Sequence, residues 1–262
     1  MFSKKQLFSV FLLSIFLTGC SINSASSYTL PKVSSGSTGP VPILVYHSVT
    51  NNIFSKNKDL FAKPDEFEKQ LKWINSHGYT TIFPDQLKAV QNIHKPILIT
   101  FDDGYSDNYT IVYPLVKKYR VKICIFVATR FINKEHYLTS DQIKEMSRSG
   151  LVCIESHTVS HHHLSQLPPS ELKYELEKSK DDILKLTGKT PMALAYPYGD
   201  FNNSIIAQTK NYYSLGFTTD KGNLSDAAQK LTITRYGIGR FTTLKDLKKY
   251  IDSISKIKQH CF

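Results

Sequence analysis

The sequence predicts an α/β protein in which seven or eight strand-and-helix units form a mostly parallel sheet that can close into a barrel. Short runs rich in β-branched and aromatic residues alternate with longer helix-like stretches along the chain, and this alternation is typical of parallel sheets. The stretch 169–187 is the clearest helix, because prolines open it, Leu and Ile recur on one face and Gly188 follows it. No second change in composition and no internal repeat divides the chain, so we expect one folded domain.

The order of these units directs attention to the residues that follow each strand. In barrels of this kind the carboxyl ends of the strands carry the chemistry. The predicted strands cover 42–46, 80–83, 96–101, 122–127, 151–155, 193–195, 215–218 and 231–235, and the predicted helices cover 64–77, 84–91, 107–119, 140–149, 169–187, 203–212 and 243–258.

The first 20 residues are predicted to be an export signal. Lys4 and Lys5 precede an apolar run over 7–17, which is the layout of a signal peptide and is too short to span a bilayer stably. The run ends in Leu17-Thr18-Gly19-Cys20, which resembles the bacterial lipobox, whose cysteine becomes the acylated first residue of the mature protein. An ordinary cleaved signal with an incidental Cys20 is the alternative.

Residues 21–40 are rich in Ser and Gly and are predicted to be a flexible tether, which leaves 41–262 as the folded domain. The net charge is +11, but the lysines are scattered and no nucleic-acid-binding motif occurs, so we expect no nucleic-acid partner. With an export signal in front, an anionic cell surface suits this charge better. The chain is therefore expected to be secreted and lipid-anchored at the outer face of the bacterial cytoplasmic membrane.

Two polar motifs follow predicted strands, and they are Thr100-Phe101-Asp102-Asp103-Gly104 and Glu155-Ser156-His157-Thr158-Val159-Ser160-His161. Alone, Asp-Asp-Gly is a turn signal, and the second motif could be a mobile histidine tract, since His162 and His163 follow it. Two histidines four apart can face the same way on a helical turn, a spacing that recurs in zinc sites. With one carboxylate they make a three-ligand site with a position open for water.

The remaining aspartate and a third motif complete the candidate chemistry. A bound metal lowers the pKa of its water to about 7, and an unligated carboxylate beside it can accept the water's proton as general base. Ala195-Tyr196-Pro197-Tyr198-Gly199-Asp200 follows the strand 193–195. It is either an aromatic-rich turn or a source of a backbone N–H for an oxyanion.

Together, in this order, the three motifs resemble the first three motifs of the polysaccharide deacetylase family, the NodB-homology domain of carbohydrate esterase family four. The resemblance covers roughly 41–250 and implies a distorted (β/α) barrel and a hydrolase that removes acetyl groups from a polysaccharide. It implies that Asp102 is the general base and that the backbone N–H of Tyr198 helps to hold the oxyanion. It also implies that Asp103, His157 and His161 bind one divalent metal ion, with zinc favoured and nickel, cobalt, iron or manganese as alternatives.

The sequence departs from the family pattern at two points. Ala195 stands where many members have an arginine, so the group that orients Asp102 must come from elsewhere. The late strand 231–235 is not followed by the histidine that often serves as general acid. His47, at the end of the first strand, is a candidate replacement, although a structural histidine there, or an acid at His162 or His163, is an open alternative.

An early Tyr-His after a strand and a missing late histidine are similar to the branch of the family that deacetylates poly-β-1,6-N-acetylglucosamine. We therefore expect an N-deacetylase acting on N-acetylglucosamine units of an extracellular polysaccharide. The alternatives are a peptidoglycan N-deacetylase, a xylan-type O-acetyl esterase and a non-catalytic wall-binding lipoprotein.

The lipid anchor is directly testable. Cys20→Ser should release the protein from membranes or stall its processing, because no thiol is left to acylate. Fractionation of cells that express each form measures the membrane-bound share. Unchanged partitioning of the variant would mean that the segment is a plain signal peptide.

Overall fold

The computed structural model describes residues 41–219 and 230–257. The predicted signal over 1–20, including Cys20, and the predicted tether over 21–40 lie outside the described residues. Within the described helices, none combines the length and the apolar character needed to cross a membrane.

Eight parallel strands make one curved sheet. Its members are β1 (Ile43–Tyr46), β4 (Thr80–Thr81), β5 (Pro96–Phe101), β6 (Ile123–Val127), β7 (Val152–Ser156), β8 (Ala193–Ala195), β9 (Leu215–Phe217) and β10 (Tyr236–Gly237). The strand order is β10-β1-β5-β6-β7-β8-β9, with β4 paired to β5. A separate parallel pair joins β2 (Ser48–Val49) to β3 (Phe61–Ala62). The predicted α/β class and barrel architecture are confirmed.

Six α-helices lie within the described residues, and they are α1 (Pro64–Ser76), α2 (Tyr113–Tyr119), α3 (Ser140–Arg148), α4 (Pro169–Thr187), α5 (Asn203–Thr209) and α6 (Leu244–Ile257). One apolar cluster combines strand residues such as Leu44 and Phe101 with helix residues such as Leu71 and Ile251. A second cluster contains residues from the strands' other face. In it the rings of Phe126 and Phe217, on strands that are not neighbours, lie 5.3 Å apart, so this second cluster fills the inside of the curved sheet.

The chain between β9 and α6 closes the ring of strands. Ile233 forms a parallel bridge with Phe217, and only three residues later Tyr236 pairs with Leu44 of β1. The predicted strand over 231–235 is thus wrong in its bounds, because the segment leaves β9 and joins β1 within a few residues. Residues 233–237, which we call the closing segment, therefore link the two ends of the sheet.

Two predicted helices also differ from the structure. The stretch 84–91 is a 3-10 helix over Pro84–Asn92 that is kinked at Ala89. The stretch 107–119 opens with a π-helical turn over Asn108–Val112 before α2 begins. The wider turn fits the burial of Asp107 and Asn108 beside β2, and such turns often occur at functional sites.

Candidate active site

Asp103, His157 and His161 meet at the carboxyl end of the sheet. Asp103 follows β5, and both histidines follow β7. Asp103 Oδ1 lies 3.4 Å from His157 Nε2 and 3.1 Å from His161 Nε2, and one ligand atom from each residue lies within 4.8 Å of the others. The structure therefore brings together the three residues predicted to bind a metal.

The histidine loop reaches this geometry without a helical turn. Thr158 and His161 have positive φ values of 66° and 56°, so the chain folds back on itself instead of winding as a helix. Buried Glu175 of α4 accepts hydrogen bonds from the backbone N–H groups of Val159 and Ser160, both at 2.8 Å. The helical-turn interpretation of the His-x-x-x-His spacing is thus wrong, although the two imidazoles converge as predicted.

The donor set fits a divalent metal ion. His157 Nδ1 lies 2.7 Å from the carbonyl oxygen of Ala195, which favours a proton on Nδ1 and a free lone pair on Nε2. Asp103 Oδ1 is buried and has no hydrogen-bond partner among the described residues. A buried carboxylate oxygen without a donor is costly, and a cation between it and the two Nε2 atoms would satisfy it. Two imidazoles and one carboxylate suit zinc or a similar transition metal.

The charges around this cluster keep its carboxylates ionised. Burial would raise the pKa of Asp103, but the nearby imidazoles of His157 and His161 hold that pKa well below its usual range. Burial would likewise lower the pKa of His157, and the nearby charges of Asp102 and Asp103 raise it instead. Asp103 is therefore ionised before any cation binds.

Asp102 forms a buried, bidentate ion pair with Arg235 of the closing segment. Both carboxylate oxygens accept hydrogen bonds from the guanidinium at 2.7 Å. Arg235 also donates to Thr100 Oγ1 and to the carbonyl oxygen of Thr218, and only 1% of Asp102 and 2% of Arg235 is exposed. Burial would raise the pKa of Asp102, but Arg235 and His157 hold that pKa below its usual range. Asp102 is thus ionised and fixed in orientation.

Arg235 is the functional residue that the sequence reasoning missed. Ala195 stands where many family members have an arginine, so the group that orients Asp102 was predicted to come from elsewhere. Arg235 is that group. The one available signal was a cationic residue at the end of the predicted strand 231–235, directly before the position where the family's histidine is expected. Its partner lies 133 residues earlier in the chain, so no local pattern could reveal the pair.

His47 follows β1 on the same rim and is partly buried. Its backbone carbonyl accepts a hydrogen bond from Asn108 Nδ2 at 3.0 Å. Burial lowers the pKa of His47, against the opposing effect of the Asp103 and Asp102 charges. His47 thus lies at the carboxyl end of β1, the strand that pairs with β5.

Tyr198 and the two further histidines border the cluster. Tyr198 has a positive φ of 60°, a conformation that costs free energy for a non-glycine residue, and its ring lies 4.6 Å from that of His161. His163 stacks on Tyr198 at 4.0 Å and is 3.6 Å from Asp200, and His162 and His163 are both exposed. The structure thus places the predicted oxyanion residue beside the metal ligands, with His163 bracing its ring.

We expect His161→Ala to weaken binding of a divalent metal by more than about a hundredfold. Even mutations of residues that only hydrogen-bond a metal ligand reduce metal affinity about 10- to 100-fold. Titration of the metal-free protein with zinc, followed by calorimetry, measures this. His162→Ala is the matched control, because it removes an exposed imidazole one residue away. Equal affinities for the two variants would contradict the proposed ligand set.

We expect Arg235→Ala to reduce the free energy of unfolding by about 3–5 kcal/mol, because it leaves the Asp102 charge buried and unpaired. Urea denaturation measures the loss. Arg148→Ala removes an exposed arginine and should change stability by less than about 0.5 kcal/mol. A loss below about 1 kcal/mol for Arg235→Ala would mean that the ion pair does not stabilise the fold.

Comparison with known proteins agrees with this geometry. The family model described as polysaccharide deacetylase matches residues 89–217. A Bacillus subtilis protein named as a polysaccharide deacetylase, YxkH, is 37% identical over 191 residues, covering 71% of this chain and 66% of its own length. The poly-β-1,6-N-acetyl-D-glucosamine N-deacetylase of Staphylococcus aureus is 29% identical over 170 residues, covering 57% of this chain and 59% of its own. The chain thus spans about two thirds or less of these relatives.

The fold gives the same result. The crystal structure of a polysaccharide deacetylase from Bacillus cereus, BC0361, superposes with a TM-score of 0.76 at 30% identity, and the match covers 81% of this chain and 69% of that one. The chain therefore belongs to the polysaccharide deacetylase family.

Proposed function

We propose that this protein hydrolyses the N-acetyl groups of N-acetylglucosamine units in an extracellular polysaccharide, with poly-β-1,6-N-acetylglucosamine as the favoured polymer. One observation carries the proposal: a buried carboxylate, ionised and oriented by Arg235, lies directly beside a three-residue metal site at the rim of the barrel. This arrangement provides a base and an electrophile site in one place.

The chain's own groups divide the reaction between them. When bound at Asp103, His157 and His161, a divalent metal would supply an acidified water and a polarised acetyl carbonyl. Asp102 accepts the proton of the attacking water, because an ionised carboxylate keeps lone pairs free even when Arg235 occupies two of them. The backbone N–H of Tyr198 stabilises the oxyanion.

His47 completes the reaction by protonating the leaving amine. An amine departs poorly without a proton, so the reaction needs an acid. The neutral imidazole of His47 must take up a proton within the site, and the charges of Asp102 and Asp103 favour that protonation. Free acetate and a glucosamine unit are the products.

The choice of polymer and location rests on further support. The S. aureus relative is named for poly-β-1,6-N-acetyl-D-glucosamine. His47 follows the first strand and is the candidate acid, because no histidine follows the late strand. The lipobox-like Leu17-Thr18-Gly19-Cys20 supports a lipid anchor at the outer face of the cytoplasmic membrane. A polymer outside the cell would be within reach of an enzyme held there.

Acetate release tests the proposed function. Metal-free protein supplied with single divalent metals is assayed on β-1,6- and β-1,4-linked N-acetylglucosamine oligomers and on O-acetylated xylan oligomers. We expect acetate chiefly from the β-1,6 oligomers, and a loss of about a hundred- to ten-thousand-fold in Asp102→Asn, which cannot accept the proton. Release only from O-acetyl esters, or full activity in Asp102→Asn, would overturn the proposal.

Substrates with different leaving groups test His47. His47→Gln should slow release of the sugar amine by about a hundredfold or more, yet spare an activated acetyl ester whose leaving group departs without a proton. Steady-state rates on both substrates give the comparison. Equal losses would indicate a positioning role for His47, and no loss on either would return the role to His162, His163 or water.

A further inference from the structure

A groove of about 540 Å³ opens beside His47 on the closing-segment side of the site. Its lining includes Val45, His47, Asp59, Tyr236, Phe241 and Asp246. Its volume lies within the range of about 300–1,000 Å³ that small-molecule sites occupy. The metal ligands do not line it, so the groove adjoins the reacting centre through His47 alone.

The position of His47 indicates which part of the substrate enters this groove. The nitrogen that His47 protonates is bonded to the sugar ring, whereas the acetyl methyl and carbonyl lie on the other side of the scissile bond. A sugar whose nitrogen faces His47 therefore extends toward the space that His47 lines.

Phe241 stands at the tip of a rigid turn in the groove wall. Its side chain is 73% exposed, which is unusual for a large apolar residue. Thr242 N donates to Gly239 O at 3.1 Å, and Gly239 N donates to Thr242 Oγ1 at 3.0 Å. Gln70 donates to Thr242 O and accepts from Tyr46 Oη. The turn is thus linked through Gln70 to Tyr46, the residue that precedes His47.

The opposite wall approaches this turn closely. A Cβ on Gly239 would collide with the backbone oxygen of Asp59, so glycine is needed where the two loops meet. Asp59 and Asp246 are the acidic residues that line the groove, and among the described residues no lysine or arginine lines it. Arg240 lies between two lining residues but does not itself line the groove. The groove therefore suits a neutral or ammonium-bearing sugar better than a carboxylated one.

We propose that this groove binds the next sugars of the polymer on the leaving-amine side, with a hexosamine stacked on Phe241, and that its charge disfavours units with a carboxylate. The inference rests on the proposed function and adds to it a preference for a glucosamine homopolymer over a wall glycan that carries lactyl carboxylates. The apolar C–H face of a hexosamine can cover the exposed ring.

Chain length and charge test the groove. Phe241→Ala should raise KM for a β-1,6-linked N-acetylglucosamine tetramer about tenfold, the loss expected when one aromatic contact is removed, and should raise KM for the monosaccharide much less. Phe241→Trp should restore tetramer binding. Tyr174→Ala, which removes another exposed ring on α4, should leave both KM values unchanged. Equal increases in KM for the tetramer and the monosaccharide in Phe241→Ala would contradict the proposal that the groove binds further sugars.

Binding without turnover separates this inference from the proposed function. Calorimetry with Asp102→Asn measures tetramer affinity directly, and adding Phe241→Ala should weaken it about tenfold. If Phe241→Ala weakens tetramer binding but the wild type releases no acetate, the result would support the proposed sugar-binding groove and contradict the proposed reaction. Asp59→Lys should raise the relative affinity for an oligomer containing N-acetylmuramic acid, and an unchanged ratio would overturn the charge preference.

Discussion

The ion pair between Asp102 and Arg235 connects the closure of the barrel with the chemistry of its rim. Burying two charges costs several kcal/mol unless geometry and further hydrogen bonds compensate. Here the guanidinium fork meets both carboxylate oxygens, and its remaining N–H groups reach Thr100 and the carbonyl of Thr218. These contacts join β5, the residue after β9 and the closing segment. The orientation of the Asp102 carboxylate therefore depends on the same contacts that close the ring of strands.

The cluster of Asp103, His157 and His161 is built from several strand ends and not from one local motif. Asp103 follows β5, the histidine loop follows β7, and the carbonyl that orients His157 belongs to Ala195 at the end of β8. Asp102 and Asp103 bring two negative charges to a buried place where Arg235 supplies one fixed positive charge. The remaining negative charge favours a cation, which gives an electrostatic reason for a metal beyond the choice of ligands.

The sequence was informative wherever chemistry followed a strand end locally. Adjacent aspartates after a buried run and histidines after the next-but-one strand predicted the cluster, because parallel strands bring their carboxyl ends to one edge. The left-handed residues Thr158 and His161 could not be predicted, since the loop between them is held by contacts of Val159 and Ser160 with Glu175 of α4. Arg235 and Phe241 were also out of reach. Asp102, which pairs with Arg235, and His47 and Asp59, which line the groove together with Phe241, lie more than a hundred residues earlier.

The two departures from the family pattern have one explanation in this structure. Arg235 ends the predicted late strand, which no histidine follows, and provides the guanidinium that Ala195 cannot. Arginine stays protonated at any working pH, so a residue that holds Asp102 in this way cannot also donate a proton. In the proposed reaction the donor then comes from a neighbouring strand. Because the closing segment pairs with β1, with Tyr236 opposite Leu44 and Gly237 opposite Val45, the next strand end is the one that carries His47. With His47 as the proposed acid, an arginine on the closing segment and an acid on β1 are thus two parts of a single rearrangement.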